Sequence, residues 1–159
     1  MTRDFPDNLV LDANAIAAMT GLELMQAIVA GTMPQAPIAV AMNFRLVAVE
    51  EGQSVFEGVP GPEFRNPLGT IHGGWYGAIL DSALAVAVHS RLGKGAASTT
   101  LEYKINITRA IPPGMLVRAT GTASHVGRTT AVSEAKLTGV EDGRLYATGS
   151  TTCIILNAS

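Results

Sequence analysis

Between Thr20 and Gly31 the chain reads TGLELMQAIVAG. Leu22, Met25, Ile28 and Val29 fall at helical spacing, Thr20 is placed to cap the first turn, and Gly31 followed by Pro34 ends the run. This predicts a short amphipathic helix, with a weaker one before it at about Asp12 to Ala18. From Ile38 the period changes to two. The segments IAVAMNFRLVAVEEG and SVFEGV predict a pair of strands turned near Glu51 and Gly52, with Met42 and Phe44 as packing residues of the first. A Pro- and Gly-rich loop, PGPEFRNPLGT, leads to His72, and the apolar run from Gly73 to about Leu92 predicts a long helix. Four strand-like segments follow: Ser98 to Ile107, Met115 to Ser124, Thr129 to Thr138 and Leu145 to Leu156. Turn signals separate them at Pro112-Pro113-Gly114, Gly127-Arg128 and Asp142-Gly143.

A helix apolar nearly all round needs partners on most sides, and a curved antiparallel sheet wrapped about it supplies them. The order of helix, two strands, long helix and four strands therefore predicts an α+β chain of hot-dog architecture. It has one domain over residues 1–159, with a helical segment at 1–37 and a core at 38–159. A chain of 159 residues suits one core. No repeat or low-complexity tract divides it.

Composition adds limits on partners. The chain is 47% hydrophobic and 15% charged, so it has few charges with which to cover a surface, and subunit contacts are expected. The stretch from Trp75 to Val88 is too short for a bilayer span and is interrupted by Asp81, so no membrane association is expected. The first ten residues, MTRDFPDNLV, do not read as a secretory signal, and Cys153 is the only cysteine; both point to a reducing cytoplasm. A net charge of −2 argues against nucleic acid as a partner. The sign is uneven, however. Residues 1–90 carry three Lys/Arg against nine Asp/Glu, and residues 91–159 carry eight against four, which suits a small polyanionic ligand in the second half.

The chemistry concentrates in NPLGTIHGGWYGAILDSAL, residues 66–84. Gly73 and Gly74 stand where the loop enters the helix, a position at which backbone N–H groups are unpaired and carry positive partial charge. Such a site polarises a carbonyl and stabilises the oxyanion formed on attack. Asp81 is the sole charge between Arg65 and Arg91, and a carboxylate in so apolar a helix requires a partner, a raised pKa or a function. A solvent-facing or structurally paired Asp is the plain alternative. Eight residues separate Gly73 from Asp81, about 12 Å of helical rise, too far for both to act on one carbon. If both act, they come from different subunits of a dimer with antiparallel central helices.

These residues resemble the PaaI-like acyl-CoA thioesterases of the hot-dog superfamily: Asn66, then His72-Gly73-Gly74, then Asp81, then a hydroxyl residue opening the strand STTLEYKINITRAIPPG. The resemblance covers nearly the whole chain. It implies hydrolysis of an acyl-CoA thioester, with Asp81 as general base or nucleophile and the Gly73 N–H as oxyanion site. Asn66 would orient water or the carbonyl, and His72 would support the loop or the carbonyl contact. The hydroxyl partner of the carboxylate aligns best with Thr100, with Thr99 and Ser98 as alternatives. Gly74, Trp75, Thr99 and Arg128 are the candidate substrate contacts. For Trp75 and its neighbour Tyr76 a core role is the alternative, and for Arg128 a solvated turn residue is. The family leans to tetramers, so a homo-oligomer of at least two chains is expected.

His72, His89 and His125 are scattered and form no zinc-like cluster, so neither metal nor cofactor is expected beyond the CoA of the substrate. Neither a Gly-x-Ser-x-Gly elbow, a GxGxxG turn nor a P-loop is present. Two other readings stay open: a dehydratase of acyl thioesters pairing His72 with Asp81, and a non-catalytic acyl-CoA binding protein on the same fold.

Overall fold

The computed structural model describes residues 13–156. Two short helices open this range, α1 (Ala13–Ala18) and α2 (Gly21–Val29). The Asp12 start proposed for the first lies outside the described residues. Thr20 caps α2 as its sequence indicates: the Thr20 hydroxyl accepts from the Glu23 N–H, and the Glu23 carboxylate accepts from the Thr20 N–H at 2.8 Å.

The strand expected from Ile38 does not begin there. Pro37–Ala41 forms a further helical turn, α3, and β1 (Phe44–Glu50) starts only at Phe44. Two local features explain the correction. Pro37 sits at the first helical position, where its fixed φ suits a helix and its missing N–H costs nothing. Asn43 adopts a left-handed φ of 53°, turning the chain out of α3 and into the strand. Met42 is therefore the C-cap of α3 and not a strand residue, and the helical part of the chain runs past residue 37.

The remaining elements follow the expected order with ends shifted by at most three residues: β2 (Gln53–Gly58), α4 (Gly73–His89), β3 (Ala97–Ile107), β4 (Val117–Val126), β5 (Thr130–Gly139) and β6 (Leu145–Leu156). All six strands form one antiparallel sheet in the order β1-β2-β4-β5-β6-β3. Burial alternates strictly along β5, and its inward residues Ala131, Ser133, Ala135 and Leu137 face α4. The helix lies in the concavity, with Ile79, Leu80, Ala83, Leu84, Ala87 and Val88 fully enclosed.

Helix and sheet approach closely at defined points. Ser54 Oγ donates to the Ala83 carbonyl at 2.6 Å and Ser133 Oγ to the Leu84 carbonyl at 2.9 Å. A Cβ at Gly121 would overlap the Ala83 carbonyl, so glycine is what admits the helix there. These contacts fix the rotation of α4 about its axis, and hence the face that carries Asp81.

The two sheet edges differ. On β1, the Gln35 side chain bonds both the N–H and the C=O of Leu46, at 2.9 and 3.1 Å, in the manner of a neighbouring strand. The outer edge of β3 has no such cover among the described residues, and it exposes Leu101, Tyr103 and Ile107. An open edge with apolar side chains is a template for pairing with another chain.

Candidate active site

The face of α4 that looks toward β3 is lined by residues one turn apart: Gly73, Gly77 and Asp81. Each meets one β3 side chain. Ile107 Cδ1 would lie 3.4 Å from a Cβ at Gly73, the Tyr103 hydroxyl would lie 2.9 Å from a Cβ at Gly77, and Thr100 Oγ1 donates to Asp81 Oδ1 at 2.9 Å. Strand and helix thus run past each other in opposite directions with matched contacts.

The spacing on β3 breaks the period of two between 103 and 100, and the reason is a bulge. Thr100 pairs with Cys153 and Glu102 with Thr152, leaving Leu101 as the extra residue. Without the bulge, strand alternation would turn Thr99 inward and Thr100 outward. With it, Thr100 shares the inward face with Tyr103, Ile105 and Ile107. Among Ser98, Thr99 and Thr100, the partner of the carboxylate is therefore Thr100. Thr99 pairs with Ile154 and stands exposed on the outer face of the sheet, away from Asp81. Its expected place beside the substrate is corrected for that reason.

Asp81 is half-buried. One carboxylate oxygen is tied to Thr100; the other has no partner among the described residues. Beneath the pair lies Cys153, fully enclosed. Burial pushes its thiol above the ordinary range, the neighbouring Thr151 and Thr100 side chains oppose the rise, and the charge of Asp81 adds to it.

The helix N-terminus forms a second cluster. His72 is the N-cap: its Nδ1 accepts from the Gly74 N–H at 2.9 Å, which requires an unprotonated Nδ1. The Gly74 N–H is thereby occupied, whereas the Gly73 N–H has no acceptor among the described residues. Of the two glycines, Gly73 is the available donor. Asn66 closes the preceding loop: its Oδ1 accepts from the Leu68 N–H at 2.9 Å and the Thr70 N–H at 3.3 Å, and its Nδ2 donates to Thr70 Oγ1 at 2.9 Å. The same loop is closed by the His72 N–H on the Phe64 carbonyl at 2.8 Å, so Asn66 and His72 brace one turn that delivers Gly73 to the helix start.

Trp75 sits mainly in the core, with one edge reaching a cavity lined also by Met42, Phe64, Arg65, His72 and Gly74. It is 1% exposed, donates from Nε1 to the Met42 carbonyl at 2.8 Å and stacks edge-on against Phe44 and Tyr76. Residue 75 falls on the helix face turned away from β3, so its bulk packs in the core and away from the Asp81–Thr100 pair. Tyr76 is likewise buried, and its hydroxyl holds the loop after β3 by accepting from the Ile111 N–H at 2.7 Å and donating to the Arg109 carbonyl at 3.2 Å. Arg128 is exposed at the β4–β5 turn. In the sheet, Thr130 pairs with Ile154, which pairs with Thr99, so this turn lies at the same end of the sheet as the Asp81–Thr100 pair.

Sequence reasoning missed Gly77 and Tyr103. The repeat of small residues at 73 and 77 ahead of Asp81 was the available signal for Gly77. Nothing local marks Tyr103, which looks like an ordinary strand tyrosine.

Comparison with known proteins agrees with this architecture. The family model described as the Thioesterase superfamily matches residues 68–146, which hold Gly73, Asp81 and Thr100. A thioesterase-type, phenylacetic acid degradation-related protein from Ralstonia eutropha is 29% identical, with 82% of this chain and 98% of that one covered and a TM-score of 0.74. A thioesterase protein of Streptococcus pneumoniae, solved with coenzyme A, is 25% identical over 75% of this chain and 91% of its own, with a TM-score of 0.68. The Escherichia coli PaaI protein from the phenylacetic acid degradation operon shares the fold, with a TM-score of 0.75, 91% of this chain and 98% of that one covered, and 19% identity. No curated protein matches the chain by sequence.

Proposed function

For a chain that carries the hot-dog fold of the thioesterase superfamily, we propose hydrolysis of an acyl-CoA thioester, with Asp81 and Thr100 of one subunit working beside the Gly73 N–H of another. The observation that carries this reading is the pairing of a half-buried carboxylate, one oxygen held and one open, with a free helix N-terminal N–H two turns away on the same helix face.

Thiolate is a good leaving group, so the reaction needs an activated nucleophile and a stabilised oxyanion more than a strong acid. Thr100 holds one oxygen of Asp81 and leaves the other to take a proton from water, or to attack the carbonyl carbon itself. As the new C–O bond forms, charge builds on the carbonyl oxygen and is met by the Gly73 N–H. Collapse of the adduct breaks the C–S bond: in the base route the CoA sulfur leaves with the proton Asp81 took from water, and in the nucleophilic route it leaves as thiolate and water then hydrolyses the Asp81–acyl anhydride, releasing the acid and restoring the carboxylate. The coenzyme A in the Streptococcus pneumoniae relative supports CoA as the carrier group, and Arg128, exposed at the Asp81 end of the sheet, is the candidate partner of its phosphates.

About 12 Å of helical rise between Gly73 and Asp81 separates the two halves of one chain's machinery. Antiparallel α4 helices in a dimer bring the complementary halves together, and the open edge of β3 supplies the surface for pairing. A dehydratase would require His72 as a base, and with Nδ1 accepting the Gly74 N–H the neutral ring carries its proton on Nε2.

The test is thiol release from a panel of acyl-CoAs by wild type and Asp81→Asn. Loss of most turnover in the variant, with the oligomer intact by size-exclusion chromatography, is the expected result. Near-normal turnover in Asp81→Asn would refute the assignment, and tight CoA binding without thiol release would point to a carrier.

A further inference from the structure

Resting on the thioesterase reading, the geometry points to Tyr103 as the residue that selects the acyl group, its ring forming a wall of the acyl pocket over Gly77. Tyr103 is 46% exposed, lies outside the enclosed core, and places its hydroxyl and ring edge against Gly77; a Cβ there would lie 2.9 Å from the hydroxyl oxygen and 3.4 Å from Cε2.

Its position relative to the chemistry follows from the two-fold relation. When Asp81 of one subunit stands opposite Gly73 of the other, the residue midway between them, Gly77, stands opposite its own copy. Gly77 and the ring upon it therefore lie beside the dimer axis, about 6 Å along the helix from each reacting centre.

The two sides of a reacting centre differ in character. Beyond Asp81 lies the open end of the sheet, with exposed Arg128 and the start of β3. A large charged CoA requires that open side. Toward the axis lie Tyr103, Ile105 and Ile107 on β3 and glycine on the helix, a space enclosed by apolar groups once a second chain covers the β3 edge. An apolar acyl chain gains most from that side. Gly77 sets how deeply the ring can settle onto the helix, and so how much room the acyl chain has.

The experiment measures kcat/KM for straight-chain acyl-CoAs from acetyl to decanoyl and reads the ratio of long to short. Removing the ring in Tyr103→Ala raises that ratio by about tenfold or more, the scale on which a hydrophobic pocket distinguishes chain lengths. Tyr103→Phe keeps the ring and keeps the ratio. Gly77→Ala lowers the ratio, because the new methyl displaces the far end of the tyrosine side chain into the pocket. In a Tyr103→Ala background, Gly77→Ala has no effect on it. An unchanged ratio in Tyr103→Ala, or an equal effect of Gly77→Ala with and without the ring, overturns the wall while leaving hydrolysis in place. A wild type that releases no thiol from any acyl-CoA overturns the thioesterase reading and the wall together.

Discussion

Thr100 and Asp81, 19 residues apart in sequence, meet in a 2.9 Å hydrogen bond across the gap between strand and central helix. The bond holds one carboxylate oxygen in place and leaves the second without a partner among the described residues. A hydrogen bond to a charged group contributes about 1.5–3 kcal/mol when both partners are present. Thr100→Val should therefore lower kcat by roughly 10- to 100-fold. Thr100→Ser should recover most of the loss, since the hydroxyl is kept. Steady-state kinetics on one acyl-CoA compares the three proteins, and equal rates for the Val and Ser variants would show that the hydroxyl is not what matters.

If the site is divided between subunits as proposed, it is open to complementation. Gly73 is the first residue of its helix, and His72 before it has φ −64° and ψ 139°, a conformation that precedes proline readily. Gly73→Pro thus removes the one N–H while keeping the helix start, and should cost about 10²–10³ in kcat. Mixed in equal amounts with Asp81→Asn and allowed to exchange subunits, it should regain about one quarter of wild-type turnover, because half of the dimers are mixed and each has one intact site of two. A mixture as inactive as its components would locate the site within one chain.

Cys153 lies closed in beneath the carboxylate, and burial together with the Asp81 charge keeps its thiol protonated at neutral pH. A chromogenic disulfide reagent at pH 8 should leave it unmodified in the native protein over minutes and react fully once denaturant is added. Rapid native labelling would mean that the helix lifts from β3 and β6 far more often than the packing implies.

Stability should fall on mild acidification. His89, in the last turn of α4, is covered by the start of α2, and burial holds its imidazole below the ordinary value of 6.5. The unfolded chain therefore takes up this proton before the folded one does. Its contribution is complete above pH 6.5 and is lost as pH falls from there through the folded value. Glu23 and Asp142, held below their ordinary values chiefly by the backbone N–H groups of Thr20 and Arg144, act in the same direction only at lower pH. Urea midpoints at pH 7.5 and 5.5 should differ less for His89→Gln than for wild type. An identical difference in the two proteins would assign the loss to other groups.

Much of this molecule is legible from residue order. The apolar run from Gly73, the Thr20 cap, the alternation along β5 and the Asp142-Gly143 turn are local signals, set by capping, helical period and strand period, and they yield the sheet-and-helix architecture. Asp81 stands out because a lone charge in such a helix is costly. The strand proposed at Ile38 failed because Pro37 and the left-handed Asn43 outweigh four apolar residues.

What only the tertiary structure decided is which side chains face one another. Ser98, Thr99 and Thr100 are equivalent in sequence; one extra residue at Leu101 turns Thr100 toward Asp81 and Thr99 toward the outer face, and no hydropathy pattern records a bulge. Tyr103 reaches Gly77 because the register of β3 on β6 turns 103, 105 and 107 inward, and Trp75 is drawn into the core by the rotation of α4 that Ser54, Ser133 and Gly121 impose. Side-chain periodicity is a property of a segment, whereas the direction of a face depends on register and helix rotation, and those are settled by contacts between segments far apart in the chain.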